Sequence, residues 1–234
     1  LEQKIVILTG AGVSAESGLN TYRDKGGIWE KYDLMELATP EAFAANPTKV
    51  HEFYNLRRGI VAEVQPNAAH RALANLQSDY TGEVFLVTQN VDNLHEKAGS
   101  DPVYHMHGEL AKVRCSLCHT VIDTLDDIDT STKCGQCGHI GGMRPHVVWF
   151  GEMPFYLEKI EEKLQQCDLF ISIGTSGTVY PAAGFVRAAK MSGAKTVELN
   201  MEPSEGQHLF DQGLYGPATE VVPTFVDKIL KGEI

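Results

Sequence analysis

Short apolar runs rich in β-branched residues recur along the chain, and each ends on a polar or glycine step. Residues 5–8 stop at Thr9-Gly10, residues 84–87 at Thr88-Gln89-Asn90, and residues 169–173 at Gly174-Thr175-Ser176. Two weaker runs behave alike: 103–104 lead to His105-Met106-His107-Gly108, and 196–199 lead to Asn200. Near-continuous apolar strands of this kind predict a parallel sheet covered on both faces. Ligands of such sheets sit beyond the carboxyl ends of the strands, so the polar steps should gather along one edge. Between the strands the apolar spacing turns helical. Residues 66–77 carry Ala69, Leu73 and Leu76 on one face, and residues 155–167 carry Leu157, Ile160 and Leu164. The fold class this predicts is α/β.

Two stretches break the alternation and are read together as a smaller domain. The first, about 22–64, contains a helix that starts at Asn46-Pro47, a cap followed by proline in the first turn. It continues through Val50, Phe53, Leu56, Ile60 and Val64. The second, about 112–142, holds four of the five cysteines. A large domain then comprises about 1–21, 65–111 and 143–234. At 234 residues the chain has room for one large core and a modest insertion. No internal repeat or low-complexity tract is present.

Composition narrows the function. Hydrophobic residues at 43% and charged residues at 22% suit a soluble globular protein, and no apolar run of about 18 residues exists to cross a bilayer. A formal net charge of -11 disfavours nucleic-acid backbones and anionic lipid, and suits a partner carrying lysines. Paired cysteines in a chain of this size read as metal ligands in a reducing compartment, which makes a cytoplasmic location the expectation. The sequence opens at Leu1 directly in a strand-like segment, so any targeting peptide upstream would lie outside it.

Cys115-x-x-Cys118 and Cys134-x-x-Cys137, with fifteen residues between the pairs, have the spacing of a four-thiolate zinc site. Unligated burial of all four is hard to reconcile with so charged and glycine-rich a stretch. Four sulfurs leave no position for water, so this zinc is expected to be structural. His119 and His139 are weaker candidate ligands, and Cys167 reads as a core residue.

Thr9-Gly10-Ala11-Gly12-Val13-Ser14-Ala15-Glu16-Ser17-Gly18 follows the first strand and fits G-x-G-x-x-A. That is the Rossmann-like turn through which backbone N–H groups approach a pyrophosphate, and plain loop glycines are the alternative. A nicotinamide reductase would place an acid at the end of a second strand about 20 residues on. Here the chain runs instead through Thr21-Tyr22-Arg23-Asp24-Lys25-Gly26-Gly27, which is no strand. The adenosine ribose must be held elsewhere, and Asn200 is the candidate. Gln89-Asn90-Val91-Asp92-Asn93-Leu94-His95 and His105-Met106-His107-Gly108-Glu109 bring amides, a carboxylate and imidazoles to neighbouring strand ends. Such a set can orient a ribose and take a proton from one of its hydroxyls at neutral pH. An NAD-linked oxidoreductase with a structural zinc and a zinc-ribbon nucleic-acid module are the alternatives.

These motifs, together with Val147-Val148-Trp149-Phe150-Gly151-Glu152, occur in one order over nearly the whole chain. In that order the chain resembles the sirtuin family, and within it the bacterial desuccinylase-like class. The resemblance implies an NAD-dependent protein lysine deacylase: NAD is consumed as co-substrate, zinc is structural, and acylated lysines of proteins or peptides are the partners. Products would be nicotinamide, free lysine and 2′-O-acyl-ADP-ribose. It implies His107 as general base, with Gln89, Asn90 and Asp92 at the ribose and nicotinamide. Gly10, Ala11, Gly12, Ser14, Ala15, Gly18, Tyr22, Arg23 and Trp29 would line the cofactor loop, Tyr22 replacing the family's usual phenylalanine with the ring kept. Gly174, Thr175, Ser176, Asn200, Glu202 and Ala218 would take the phosphate and adenosine side. Val147, Val148, Phe150, Gly151 and Glu152 would pair with the substrate backbone as an added strand.

Tyr54 and Arg57, at i and i+3, share a helix face, so a phenol and a guanidinium can converge on one carboxylate. Spacing alone favours an ordinary amphipathic helix whose arginine points to solvent. The resemblance makes them an acid-recognition pair, with the small Ala15 leaving room for a longer acyl chain. Removal of succinyl and malonyl groups as well as acetyl is therefore expected.

Overall fold

The computed structural model describes residues 2–19 and 34–234. Tyr22, Arg23 and Trp29 lie outside the described residues. In chain order the strands are β1 (Lys4–Thr9), β2 (Glu83–Thr88), β3 (Val103–His105), β4 (Gly108–Cys115), β5 (Val121–Asp123), β6 (Met143–Val147), β7 (Leu169–Ile173), β8 (Lys195–Asn200) and β9 (Gln212–Tyr215). The helices are α1 (Pro40–Ala45), α2 (Pro47–Glu63), α3 (Ala68–Asp79), α4 (Leu94–Lys97), α5 (Leu157–Gln166), α6 (Phe185–Met191) and α7 (Ala218–Leu230). Among the described residues no helix is long and apolar enough to cross a membrane.

The main sheet has the order β3-β2-β1-β7-β8-β9, and every neighbouring pair is parallel. Successive residues of a strand point to opposite faces. In β1, Ile5 and Ile7 therefore pack with Leu73 of α3 and Phe225 of α7, while Val6 and Leu8 pack with Ile160 of α5 and Phe185 of α6. Two cores fed by one strand explain why the apolar runs are continuous. The order winds outward in both directions from β1 and β7, which makes that junction the switch point where α/β ligands bind. In register, Thr9 lies beside Thr88 and Ile173, and Thr88 beside His105, so the polar steps do line one edge.

β5, β4 and β6 form a separate antiparallel sheet. Its ladder runs from Cys115 opposite Met143 to Gly108 opposite Val147, so β4 spans the limit expected near 111 and β6 begins at the one near 143. Helix α2 starts as its sequence indicates, with Asn46 Oδ1 accepting from Lys49 N at 3.1 Å and Pro47 in the first turn. Val50, Phe53, Tyr54 and Val61 pack against Leu110, Val147 and Trp149. The apolar stripe is corrected at two positions: Leu56 and Ile60 are 50% and 41% exposed, whereas His51 and Arg58 are buried. Arg58 is accommodated because Leu110 O, Asn55 Oδ1 and Asp126 O accept its protons at 2.9, 2.7 and 3.2 Å.

Candidate active site

The loops that follow β1 and β7 touch at the switch point. Gly10 N donates to Ile173 O at 2.9 Å and Gly12 N to Gly174 O at 2.8 Å. A Cβ on Gly12 would meet Gly174 Cα at 2.7 Å, and Gly174 has φ +61, so both positions need glycine for the loops to close. Thr175 then becomes a meeting point: its hydroxyl accepts from Gln89 Nε2 at 3.0 Å and its carbonyl from Asn200 Nδ2 at 2.9 Å. Ser176 and Glu202 follow β7 and β8, and Ala218 opens α7. Glu16 reaches across to that helix, accepting from Thr219 N at 2.9 Å and Thr219 Oγ1 at 2.7 Å.

Under this edge lies a buried polar network. Asn90 Nδ2 donates to Gly10 O at 3.2 Å and to Ser14 Oγ at 3.1 Å, and Ser14 Oγ donates to Asp92 Oδ2 at 3.1 Å. Asp92 Oδ1 accepts from Leu94 N at 3.1 Å. Burial raises the Asp92 pKa, opposed by the hydrogen bonds from Leu94 and Ser14 and by nearby His105. Asn67 and His70 form a capping box on α3: Asn67 N donates to His70 Nδ1 at 3.3 Å, and His70 Nε2 stands 3.3 Å from Ser14 Oγ. Burial lowers the His70 pKa to about 4 and that of His95 well below 6.5. His95 Nε2 lies 3.0 Å from Thr9 Oγ1, which itself donates to Thr88 Oγ1 at 2.7 Å. His70 was not among the expected site residues, and Thr9 and Thr88 were marked only as polar steps at strand ends. An Asn three residues before a histidine at a helix start was the available signal for the first.

His107, half-buried at the turn between β3 and β4, has Nδ1 3.1 Å from Gln89 O. Burial lowers its pKa, and the Gln89 contact opposes that shift. The loop bearing Gln89 to Asp92 is thus joined to the imidazole by its own backbone, and Leu110 N donates to Val91 O at 2.8 Å.

On the acyl side, Tyr54 is buried and Arg57 half-buried, with the guanidinium 5.8 Å from the Tyr54 ring centroid and 5.5 Å from that of Phe53. Trp149 Nε1 donates to Tyr54 Oη at 2.9 Å. Only Val147 of the expected substrate strand lies in a strand; residues 149–152 form a turn in which Glu152 N donates to Trp149 O at 3.0 Å. Val148 N donates to His107 O and Phe150 N to Ala38 O, both at 2.8 Å. Phe150 and Gly151 are exposed. Glu152 is engaged inside the chain, accepting from Arg144 Nη1 and Nη2 at 2.7 and 3.0 Å, Arg114 Nη2 at 3.0 Å and Trp149 N at 2.9 Å. Burial pushes its carboxyl up, but the Arg144 hydrogen bonds and the Trp149 amide outweigh that and hold it below the usual value.

The four cysteine sulfurs lie within 4.8 Å of one another. Cys115 Sγ to Cys137 Sγ and Cys118 Sγ to Cys134 Sγ are both 3.7 Å. A tetrahedron with Zn–S bonds of about 2.3 Å has edges of about 3.8 Å, so the cluster has the size of a zinc site. His119 and His139 shape it through the backbone instead: His119 N donates to Cys115 O and Cys134 N to His139 O. Cys167 is buried in the second core, as its sequence position indicates.

A doubly wound parallel sheet with amides, a carboxylate and an imidazole at its switch edge, tied to a four-thiolate clamp, defines an α/β enzyme of dinucleotide chemistry with a structural zinc. Residues 10–181 match the model of the Sir2 family, and the chain belongs to that family. An NAD-dependent protein deacylase of Caulobacter vibrioides is 56% identical over 230 residues, covering 97% of both chains. That of Salmonella typhi is 53% identical over 231 residues, covering 98% of this chain and 85% of the relative. A solved Sir2 homolog–NAD complex is similar at a TM-score of 0.89 and 41% identity, over 99% of this chain and 91% of that one. A Sir2 complex with deacetylated p53 peptide and 3′-O-acetyl ADP ribose gives 0.78 at 28% identity, over 98% and 93%.

Proposed function

We propose that the protein is an NAD-dependent protein lysine deacylase that removes succinyl and malonyl groups as well as acetyl. The tautomer of His107 carries this reading. A backbone carbonyl only accepts, so Nδ1 facing Gln89 O must hold the ring proton, and Nε2 is left with its lone pair. Burial holds the pKa below 6.5, so the ring is neutral at pH 7 and able to take a proton. When bound, NAD supplies a ribose whose bond to nicotinamide breaks and whose 2′-hydroxyl receives the acyl group.

The chain's residues do the rest. His107 Nε2 removes the proton of a ribose hydroxyl. Gln89, Asn90 and Asp92 orient the nicotinamide ribose, with Asp92 opposing the positive charge that develops as nicotinamide leaves. Gly10, Ala11, Gly12, Ser14, Ala15 and Gly18 bind the cofactor, and Tyr22, Arg23 and Trp29 are assigned to the same role from the sequence. Gly174, Thr175, Ser176, Asn200, Glu202 and Ala218 take the phosphates and adenosine. Val147, Val148, Phe150 and Gly151 present backbone to an acylated peptide, while Glu152 braces that turn. Tyr54 and Arg57 bind the acyl carboxylate. We read α1, α2 and the zinc segment as the small domain, and the acidic charge and thiol-rich clamp suit a cytoplasmic enzyme that does not bind nucleic acid.

The test is nicotinamide release with acetyl-, succinyl- and malonyl-lysine peptides beside an unmodified peptide, with the acyl-ADP-ribose product followed by mass. Acyl-dependent release supports the reading. Absorbance of reduced cofactor on turnover, or no acyl dependence, would overturn it.

A further inference from the structure

Three imidazoles are buried beneath the ribose edge, and their contacts fix how many protons each carries. His70 Nδ1 faces the Asn67 N–H, so that nitrogen is bare and the ring neutral. His95 meets a hydroxyl at Nε2 and has no partner for Nδ1 among the described residues, so a second proton would be buried without an acceptor. His105 differs. It is 3% exposed at the end of edge strand β3, with Nδ1 2.9 Å from Asn90 O and Nε2 2.6 Å from Glu96 Oε1. A carbonyl and a carboxylate both only accept, so each ring nitrogen must donate. The alternative, a protonated Glu96 against a neutral ring, is disfavoured because the Glu96 side chain is 38% exposed, so little burial opposes its charge.

We propose that Glu96 holds His105 as a buried imidazolium and that this pair is a positioning device, fixing the Asn90–Val91 peptide and, through the Asn90 backbone, the adjoining Gln89 carbonyl that faces the ring of His107. This rests on the reading of His107 as the base. His105 and His107, two residues apart, grip two consecutive carbonyls, Asn90 O at 2.9 Å and Gln89 O at 3.1 Å. Rotation of the Asn90 backbone therefore moves the acceptor that sets the His107 tautomer. It also moves the Asn90 amide, which bridges Gly10 O and Ser14 Oγ. The opposite side of the loop is fixed by Thr88 Oγ1, which accepts from Asn90 N at 3.0 Å.

The charged groups facing His105 are Glu96 of α4, Glu109 of β4 and Asp92 of the loop, while neighbouring His95 is neutral. Lys112 Nζ, 2.8 Å from Glu109 Oε1, neutralises the second carboxylate, so Glu96 is the main counterion. Glu96, His105 and Glu109 also bring donor atoms within 4.8 Å, as a metal site would. With Glu109 held by Lys112 only two strong ligands remain, too few for a closed site. Burial lowers the His105 pKa, but the Glu96 hydrogen bond and charge outweigh it and the pKa is raised.

The variant is Glu96→Gln, whose amide oxygen still accepts from Nε2 while the charge is gone. Ring-nitrogen NMR of wild-type protein should show both His105 nitrogens protonated at about pH 7.5, an ordinary histidine being mostly neutral there. In Glu96→Gln the proton should leave at least about one pH unit lower, the least shift expected from losing an opposite charge in contact. The alkaline fall of kcat should move down with it, giving about a tenfold deficit near pH 9 and a smaller one near pH 6.5, while KM for NAD changes little. A neutral His105 in wild-type protein, or identical kcat profiles for the two proteins, would overturn the proposal. If wild-type protein releases no nicotinamide, the deacylase reading fails, and the His107 ring resonances then decide the positioning claim. Unchanged His107 resonances in Glu96→Gln would overturn it.

Discussion

Acidification should unload a defined part of the stability through His70. This ring is 0% exposed, faces a peptide N–H at Nδ1, and has its pKa lowered by burial to about 4. In the unfolded chain it titrates near 6.5, so between 6.5 and about 4 the unfolded state binds the extra proton. Stability must then fall with falling pH across that window, and the loss levels off below it. The difference corresponds to about 2 kcal/mol at pH 5 and about 3 kcal/mol at pH 4. Other groups titrate too. Asp92, with a raised pKa, opposes the trend, and Glu152, with a lowered one, adds to it below about pH 4.5. The His70→Gln variant isolates the imidazole. Urea unfolding of both proteins at several pH values should show a less stable variant at pH 7 with a shallower acid slope, the two curves converging by about 3 kcal/mol at pH 4. Parallel curves would show that His70 is not held neutral by its burial.

His107→Ala should cost at least about a hundredfold in kcat for deacylation while NAD binding by calorimetry changes little, because the base acts only after nicotinamide leaves. In wild-type protein the acid limb of kcat/KM should lie below 6.5, in line with the lowered His107 pKa, and a limb above 6.5 would contradict the neutral base. Arg57→Met should lower kcat/KM for a succinyl peptide about ten- to a hundredfold, the effect of losing a hydrogen bond to a charged group, and spare the acetyl peptide; a parallel loss on both would assign Arg57 to the fold. Glu152→Gln should lower stability by about 2 kcal/mol, read by urea unfolding, since Arg144 and Arg114 lose their shared counterion.

The parallel sheet was legible because β1, β2, β7 and β8 bury both faces, which writes a continuous apolar run into the sequence. Strand β9 was not, since Gln212 to Tyr215 sit on an edge, mostly exposed, and carry no such run. Chemistry was legible where residue type is specific: four cysteines at metal spacing, or an imidazole at a strand end. It was less so where function depends on what a side chain already holds. Glu152 looked like part of a peptide-binding strand, yet four donors from Arg114, Arg144 and Trp149 occupy it. Arg58 and Arg57 are adjacent in the sequence, and only the fold shows that Arg58 is buried against carbonyls while Arg57 faces the Tyr54 ring. Gly10 and Gly12 were legible as glycines of a close approach, and the fold adds that a Cβ at either would meet the backbone of the loop after β7.

The zinc clamp should support catalysis from a distance, because of where His107 sits. This residue is in the turn joining β3, the edge of the parallel sheet, to β4, the centre of the antiparallel one. Its carbonyl accepts from Val148 N, so its backbone is held from the β6 side as well. The far end of β4 is Cys115, and the β4–β6 ladder is paired from Cys115 to Gly108. Eight residues of strand span about 24 Å, so the clamp is remote from the base yet shares one strand with it. Around the clamp the core is small, consisting of Val113, Cys115, Ile128, Cys134 and Met143 with Cys118 packed against it. Structural zinc contributes roughly 10–16 kcal/mol in small modules, more than such a cluster could replace. Chelation, or Cys134→Ser, should therefore unravel the ladder from the cysteine end, lower the melting temperature and abolish deacylation without touching a residue at the ribose edge. Hydrogen exchange should show protection lost first in β4, β5 and β6, with β1, β2 and β7 retained. Metal-free protein with full activity and an unchanged melting temperature would refute the structural role.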